Sequence, residues 1–471
     1  MPPRNGYISD VEYPRHFHRE TMPVWLVSVL SALGRRTPDL AQPYTWLELG
    51  CGTGLGAAVA AATNPQGRFI GIDADVQAIA AARALAHAAG IANAEFHCLS
   101  FDEAAAAQEL LPPCDFIVAH GVYSWVGPAD RQAMRRLAAH RLKPGGVLYV
   151  SYMSQPGAGV FAAAQRLMRL GTRRTHGTSA DKARAGRALL RRLANAGAGY
   201  FSEHPSALRE LGQMEQSGAD YLAHEYLNAF RDALHGADVM AEFGEANCEY
   251  AGSATPFENI DAVSLPGATQ TLLAKLRNDG ADVAEIETFK DIVRNQNLRR
   301  DIYQRRPTHG ASLLPPDAHR AALLAQRVGL LPAAPLQRAG RRGELVFDTR
   351  IGPVRLAASH AAPLLDALEN GPCSYAELAR LPAYVGQPGF VSQLLQMLAW
   401  AGWLHFARPA PSSAPTGPAD APGRLLRALA GLPAPAGGAI VPSQAIGSAW
   451  PVPADALSPP RRGLHWLELP S

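Results

Sequence analysis

Apolar and polar positions change period repeatedly along this chain, and each change marks an element. Leu47 and Leu49 are apolar residues of a short buried strand that ends at Gly50, and the alanine-rich stretch 57–62 is a helix. Arg68 to Ile72 forms a second strand closed by Asp73, followed by a helix over Gln77 to Ala89. Glu95 to Leu99 is a third strand running into Ser100, Phe101 and Asp102, Asp115 to Ala119 a fourth, and Gly146 to Tyr152 a fifth. Regular alternation of the two periods is what βαβ units require, so the pattern predicts an α/β fold with a parallel sheet. Ligands of such open sheets sit beyond the carboxyl ends of the strands, which puts Gly50, Asp73, Phe101 and His120 around one crevice.

The remaining chain has other textures. An apolar helix, Pro23 to Leu33, precedes the first strand. Val160 to Ala198 alternates apolar residues with Arg166, Arg169, Arg173, Arg174, Lys182, Arg184, Arg187, Arg191 and Arg192. Helical spacing gathers several of these cations on one face, which is either solvated or a contact for an acidic partner. Ala158 to Gly218 reads as a helical insertion capping the crevice. Tyr221 to Phe243 is helical again, and Cys248 to Ser253 with Asp301 to Arg306 supplies a sixth and a seventh strand. Further on, Glu344 to Asp348 and Pro353 to Ala358 form a hairpin. Helices follow at Ala361 to Glu369, Tyr375 to Leu381 and Phe390 to Ala401, together suggesting a winged-helix-like module. Gln393, Gln396 and Trp400 stand where a DNA-reading helix would carry Lys and Arg, so a protein contact is expected there. Arg408 to Gly423 is a Pro/Ala/Ser-rich linker, and the apolar stretches 425–432 and 439–450 are expected to dock back on the body.

Trp46 to Gly56, WLELGCGTGLG, carries the candidate chemistry. Gly50, Gly52 and Gly54 make a G-x-G-x-G turn between strand and helix, where backbone at positive φ comes close to a ligand with no Cβ in the way. The dinucleotide fingerprint G-x-G-x-x-G is not matched, because the third glycine falls one residue early and position 55 is leucine. Glu48 adds a negative charge that would repel a pyrophosphate and suits a cationic ligand. Asp73, 23 residues after Gly50, stands where a carboxylate can accept both hydroxyls of a ribose. NAD is the alternative occupant.

Composition narrows the setting. A chain of 471 residues with 47% hydrophobic residues can bury two or three cores, and a net charge of +3 is too small to indicate nucleic acid. The five cysteines include no C-x-x-C pair, so neither a disulfide framework nor a zinc knuckle is expected, and a reducing, cytoplasmic setting is. Asp10, Glu12, Arg15 and Arg19 interrupt what a signal peptide would need as an apolar core, and no window reaches the ~18 apolar residues of a membrane span. The arm Tyr7 to Glu20 either folds over the pocket mouth, with Tyr13 or Phe17 shielding a ligand, or packs on the sheet edge. His16 and His18 lack a third ligand nearby for a metal.

Taken together, Glu48-Leu-Gly-Cys-Gly-Thr-Gly54, Gly71-Ile-Asp73, Ser100-Phe-Asp102, Asp115-Phe-Ile-Val-Ala119 and Leu142-Lys-Pro-Gly-Gly146 resemble class I S-adenosylmethionine-dependent methyltransferases. The resemblance implies a Rossmann-like, seven-stranded methyltransferase sheet. It also implies that Gly50, Gly52 and Gly54 pass the methionine end of S-adenosylmethionine, with Glu48 acting through the turn's hydrogen bonds, Asp73 on the ribose, Ser100 and Phe101 at the adenine, and His120 beside the cofactor. His120-Gly-Val-Tyr-Ser-Trp-Val126, Ser151-Tyr-Met-Ser-Gln-Pro-Gly157 and His224-Glu-Tyr-Leu-Asn228 are similar to bacterial methyltransferases with a methyltransferase regulatory domain. That family includes protein-lysine methyltransferases of outer-membrane proteins. Met153 and Ala158 depart from its usual asparagine and tryptophan, which bears on acceptor preference.

On this likeness the chain divides into an N-terminal arm and helix (1–43), a cofactor-binding core (44–157), a helical cap (158–218) and a regulatory region completing the sheet (219–315). A winged-helix-like domain (316–407), a linker (408–424) and a docking tail (425–471) follow. His120, Tyr123, Trp125 and Tyr152 are the catalytic candidates on the acceptor side, Tyr123 and Trp125 embracing a lysine stem; His120 and Trp125 read equally well as structural residues. A lysine amine, pKa ~10.4 in water, becomes nucleophilic when desolvated beside a positive charge, so no dedicated base is required. No Asp/Asn-Pro-Pro-Tyr motif follows the fourth strand, which disfavours a DNA amino-methyltransferase. The expected partners are protein substrates, envelope proteins met before export among them, and a second copy in a homodimer. A small-molecule or natural-product methyltransferase and a catalytically silent scaffold are the alternatives.

Overall fold

The structure is a computed structural model and describes residues 8, 10–11, 15–107, 109–332, 334, 343–409, 420–433, 435 and 438–452. Tyr13, most of the linker and the tail beyond residue 452 lie outside the described residues.

Seven strands form one sheet: β1 (Tyr44–Leu49), β2 (Gly67–Asp73), β3 (Ala94–Cys98), β4 (Cys114–Ala119), β5 (Leu142–Met153), β6 (Cys248–Ser253) and β7 (Leu298–Arg305). Their order is β3-β2-β1-β4-β5-β7-β6, parallel through β5, with β7 antiparallel to both neighbours. The expected strands are all present; the seventh begins three residues earlier than its periodicity shows, at Leu298 rather than Asp301. Arg299, Arg300 and Asp301 make that segment look polar although it lies inside the protein.

Two cores flank the sheet, because alternate residues of a strand point to opposite faces. One face carries Trp46, Phe69, Phe116, Tyr149 and Ile302, covered by α1 (Pro23–Ala32), α2 (Leu55–Thr63) and α3 (Val76–Ala88). The other carries Leu47, Ile70, Ile117, Val150, Tyr152 and Tyr303, with α4 (Phe101–Ala106), α5 (Pro128–Arg141) and α11 (Gly236–Glu245). Helix α2 is rich in alanine, five of its nine residues, because it is covered from both sides: Leu55 and residues 57–63 are buried between the sheet and the tail. The tail supplies α19 (Ala421–Ala430), packed on α2 and α3, and the hairpin β13 (Ala439–Ser443) and β14 (Ser448–Val452). Arg408, read as the first linker residue, is anchored there, donating to Thr63 O at 3.0 Å and Gln66 Oε1 at 2.7 Å.

Between β5 and β6 lie α6 (Ala162–Gly171), α7 (Ser179–Asn195), α8 (Gly199–Glu203), α9 (Pro205–Gln216) and α10 (Ala219–Tyr226), with a core of their own around Phe161, Met168, Leu211 and Leu222. The single helix expected over Tyr221 to Phe243 is two, α10 and α11. The chain between them leaves the helix to follow the end of β5: Leu234 N–H donates to Met153 O and Gln155 N–H to Leu234 O, each at 2.9 Å. The basic face is also divided. Arg169 and Arg187 cap the carbonyls of Ala229 and Met214, Arg184 and Arg191 pair with Asp181 and Glu215, and Arg166, Arg173, Arg174 and Arg192 remain exposed. Helices α12 (Asp261–Ser264), α13 (Gly267–Asn278) and α14 (Val283–Arg294) connect β6 to β7.

The C-terminal third differs from its expected strand pattern. The hairpin, β9 (Glu344–Thr349) and β10 (Gly352–Ala357), is a sheet by itself. A second sheet, β11-β8-β12, joins β8 (Arg327–Leu330), β11 (Cys373–Ser374) and β12 (Leu404–Ala407), strands too short to display a period of two. Around it lie α15 (Pro316–Ala325), α16 (Ala362–Leu368), α17 (Tyr375–Ala379) and α18 (Pro388–Trp400). Gln396 is buried in α18 and bonded to Ser392, so this helix face is internal. Trp400 stacks on Phe257 with ring centroids 5.0 Å apart. Among the described residues no helix is long and apolar enough to cross a membrane.

Strand β7 is locked by Arg299, whose side chain is 4% exposed. Its guanidinium pairs with Asp291 (2.7 Å), Asp301 (2.9 Å) and Glu287 (3.1 Å) and donates to Tyr250 Oη (3.1 Å). Asp301 Oδ2 also accepts from Tyr152 Oη at 2.6 Å. Buried carboxylates left without their cation are costly, so Arg299→Met should destabilise the protein by about 3–5 kcal/mol in denaturant unfolding. A loss below about 1 kcal/mol, the usual worth of an exposed pair, would show that the network is not what holds β7.

Candidate active site

The glycine turn joins β1 to α2. Gly50, Gly52 and Gly54 have φ of 72°, 51° and 75°, the left-handed region where a side chain is strained. A Cβ on Gly50 would stand 2.6 Å from Val122 Cγ2, and one on Gly54 2.6 Å from Ala82 Cβ. At Gly52 a Cβ would meet nothing within 4 Å, so this glycine borders open space. The turn is pinned to the end of β2, where Gly50 and Cys51 both donate to Ile72 O, at 2.9 and 3.0 Å.

Asp73 ends β2 and organises the turn. Its Oδ2 accepts from Gly52 N–H and its Oδ1 from Asp75 N–H, each at 2.9 Å, fixing the carboxylate while each oxygen keeps a lone pair for a ligand. Burial raises its pKa, and these amides partly offset the rise. The Glu48 carboxyl lies at the start of α2. Burial pushes it up to about 8, against the pull of the Ala57 N–H and with Asp73 adding to the rise. Among the described residues Glu48 Oε2, sealed from solvent, has no hydrogen-bond partner. A Cβ on Gly56 would stand 2.7 Å from Glu48 Oε1, so Gly56, given no role in the sequence reading, makes room for this acid.

At the end of β3, Ser100 caps α4. Its hydroxyl donates to Glu103 Oε2 (2.8 Å) and accepts from Glu103 N–H (3.3 Å), closing a capping box. This commits the hydroxyl expected at the adenine to the helix; Phe101, half-buried beside it, begins that helix.

The loop after β4 lies against the end of β5: Gly121 N–H donates to Ser151 Oγ (3.0 Å) and Met153 N–H to Ser124 Oγ (2.8 Å). It separates the four acceptor candidates. His120 stands on the Tyr149 face of the sheet, with Nδ1 2.7 Å from Tyr149 Oη, and Trp125 is half-buried in the turn that its N–H closes onto Val122 O at 2.8 Å. Tyr123 and Tyr152, expected on the acceptor side, lie in the opposite core and are fully buried. Tyr123 donates to Glu242 of α11 and Tyr152 to Asp301. Tyr152 is three residues from Tyr149, an odd step that sends the two rings to opposite faces, so strand periodicity could have singled out Tyr149.

What meets His120 is the N-terminal arm. His18 stacks on it, ring centroids 3.5 Å apart and planes 17° from parallel. Phe17 packs instead against the core. Burial holds His18 down to about 4, and burial followed by the charges of His18 and Arg300 holds His120 well below its usual range. Both rings are therefore neutral near pH 7. Arg300 lies close enough to Tyr149 to act on it electrostatically, and its charge with that of Arg19 keeps Glu20 ionised although burial works the other way. His224 of α10 meets the arm, its Nε2 2.8 Å from Val11 O.

Comparisons with known proteins give the family and the fold. A family model for a methyltransferase domain matches residues 47–148, and one for a predicted methyltransferase regulatory domain matches 218–305. An uncharacterised protein of Synechocystis is 31% identical over 379 residues, covering 80% of this chain and 71% of its own. An uncharacterised Rickettsia prowazekii protein is 27% identical over 219 residues, 46% of this chain and 86% of its own. Among solved structures, PKMT2 of Rickettsia typhi in complex with AdoHcy superposes with a TM-score of 0.68 at 18% identity, over 94% of this chain and 86% of that one. PKMT2 solved without that ligand gives 0.69 at 19% identity, over 94% and 87%. The chain belongs to the class I S-adenosylmethionine-dependent methyltransferases that carry a methyltransferase regulatory domain.

Proposed function

We propose that this enzyme methylates protein side chains, with a lysine amine as acceptor. The observation that carries the cofactor side is Glu48 Oε2, a buried carboxyl oxygen without a hydrogen-bond partner among the described residues, at the start of the helix that follows the glycine turn. A donor set of one acid, backbone amides and a strand-end carboxylate fits a ligand with a cationic end and a ribose. Glu48 and the turn at Gly50, Gly52 and Gly54 would hold the methionine end, Asp73 the ribose, and Phe101 with the start of α4 the adenine edge.

When bound, S-adenosylmethionine supplies an electrophilic methyl group on a sulfonium. The chain's own task is to bring an unprotonated amine into line and keep water out. His120 and Trp125 would border the acceptor. Tyr149 occupies His120 Nδ1, which leaves Nε2 to face a ligand, and a neutral imidazole there accepts a hydrogen bond from an amine without adding charge. A lysine entering this buried, cation-lined place is pushed toward its neutral form. Support for a protein acceptor comes from the likeness of HGVYSWV and its companion motifs to protein-lysine methyltransferases, and from a fold shared with PKMT2 along nearly the whole chain. The arm (1–43), core (44–157), cap (158–218), regulatory region (219–315), C-terminal module (316–407), linker (408–424) and tail (425–471) are the proposed units. The cytoplasm, where envelope proteins would be met before export, is the proposed place of action.

Labelled S-adenosylmethionine offered with the enzyme to whole-cell protein and, separately, to the small-molecule fraction tests the acceptor class, followed by mapping of methylated sites. Label on lysines supports the reading. Label confined to small molecules would replace it with the small-molecule alternative, and label in neither fraction would leave a silent scaffold.

Asp73→Ala should weaken S-adenosylhomocysteine binding by about 1.5–3 kcal/mol in calorimetry, the worth of charge-assisted hydrogen bonds to a ribose. Unchanged affinity would remove the ribose assignment.

Glu48 predicts a pH dependence. With its carboxyl near 8 in the folded chain against an ordinary value of 4.5, the free protein holds this proton more tightly than the unfolded chain, and loses that stabilisation as pH rises from 4.5 through about 8. A cationic ligand favours the ionised acid. S-adenosylmethionine should therefore bind more tightly as pH rises from 6 to about 8 and release a proton at pH 7. Calorimetry in buffers of different ionisation enthalpy measures that proton, and Glu48→Gln should abolish its release.

A further inference from the structure

The described residues of the N-terminal arm are tied down at two places, as the two ends of a strap. On the cap side Ile8 N–H donates to Asn228 Oδ1 (2.8 Å), Asp10 Oδ2 accepts from Ser179 N–H (2.9 Å), and Val11 O lies 2.8 Å from His224 Nε2. On the other side Arg19 donates to Trp400 O at the end of α18 (2.7 Å), with its guanidinium 4.5 Å from the centre of the Trp25 ring. His18 adjoins this second tie, and its ring covers one face of His120. Tyr149 meets His120 at the Nδ1 edge, hydroxyl to nitrogen at 2.7 Å, with ring centroids 5.8 Å apart and planes 10° from parallel. His16 extends the ladder beyond His18 at 5.9 Å and 15°.

We propose that His18 is a positioning residue for methyl transfer: its ring lies on one face of His120 while Tyr149 holds the Nδ1 edge, and the two contacts together fix the His120 plane and complete the acceptor side of the site. This rests on the acceptor side lying at His120, as argued above. One hydrogen bond, between Nδ1 and the Tyr149 hydroxyl, leaves an imidazole free to pivot about that contact; a ring on its face removes the pivot. A nucleophile must meet the methyl group within narrow limits of distance and angle, so a pivoting wall lowers turnover more than it lowers cofactor affinity. The strap also gives the C-terminal module a physical connection to the site, through Trp400 O, Arg19 and the adjacent His18.

The charged and titratable groups facing the pair are Glu20, Arg19 and His16 on the arm, Arg300 on β7 and Tyr149 on β5. All but Glu20 either oppose a proton on the rings or are neutral at pH 7. Removing His18 opens His120 to water and should raise its titration toward the ordinary 6.5.

The test uses the full chain, with ring-labelled histidines followed by NMR across pH, S-adenosylhomocysteine affinity, and turnover on the methylated protein acceptor. His18→Ala should move His120's titration upward and lower kcat about tenfold, while affinity stays within about twofold. His18→Phe, which keeps a flat ring on His120, should hold the titration low and restore kcat to within about threefold of the original. Wild-type titration and turnover in His18→Ala would overturn the proposal, as would a His18→Phe enzyme in which His120 titrates as freely as in His18→Ala. If His18→Ala fails to fold, the His120 titration in His18→Phe decides alone. If the unaltered enzyme methylates nothing, the proposed function fails, while the NMR titrations still decide whether His18 positions His120.

Discussion

The buried guanidinium of Arg299 is the constraint on which the far side of the molecule depends. It gathers carboxylates from α14 and β7 and a tyrosine from β6, and through Asp301 it reaches Tyr152 on β5. Because a strand alternates faces, this lock also decides what its neighbour does: Arg300 must point to the opposite face, where it meets Tyr149. A one-residue slip of β7 would exchange the two arginines and leave charge in the wrong core. The register Ser151–Arg300 and Tyr152–Arg299 is thereby held by electrostatics as well as by the ladder. The regulatory region consequently does more than complete the sheet edge, since its last strand brings a cation to the Tyr149–His120 side of the site.

The two ends of the chain serve the same sheet in different ways. The tail covers α2 and α3 behind the glycine turn, which is why α2 can be built from alanine: small side chains let a helix lie buried between two layers. The N-terminal arm covers the crevice in front, held by hydrogen bonds to the cap and by Arg19 at the C-terminal module. The surroundings of the glycine turn and of His120 thus draw on parts of the chain separated by hundreds of residues, and the imidazole pair stays neutral because these layers exclude water.

Local rules made much of the fold legible. Strands β1 to β5 announce themselves by apolar runs between helices, and the glycine turn by a chemistry that follows from φ alone, as the positive values at Gly50, Gly52 and Gly54 bear out. Where the reading missed, the missing information was non-local. Strands β8, β11 and β12 span two to four residues and are strands only because they pair with one another. The break after α10 exists because Leu234 is needed beside β5.

The sequence by itself determined the α/β sheet, the position of the glycine turn and the acids at Glu48 and Asp73, since each depends on residues within one βα unit. Only the tertiary structure decided which aromatic and imidazole side chains share a face of the sheet. Tyr123 and Tyr152 lie on the face opposite His120 because α11 and β7, more than a hundred residues later, cover them there. His18, Tyr149 and Arg300 joined around His120 because an arm and two strands distant in sequence converge there. Periodicity tells how a residue faces relative to its neighbours, while the element that will cover that face is settled by packing across the whole chain.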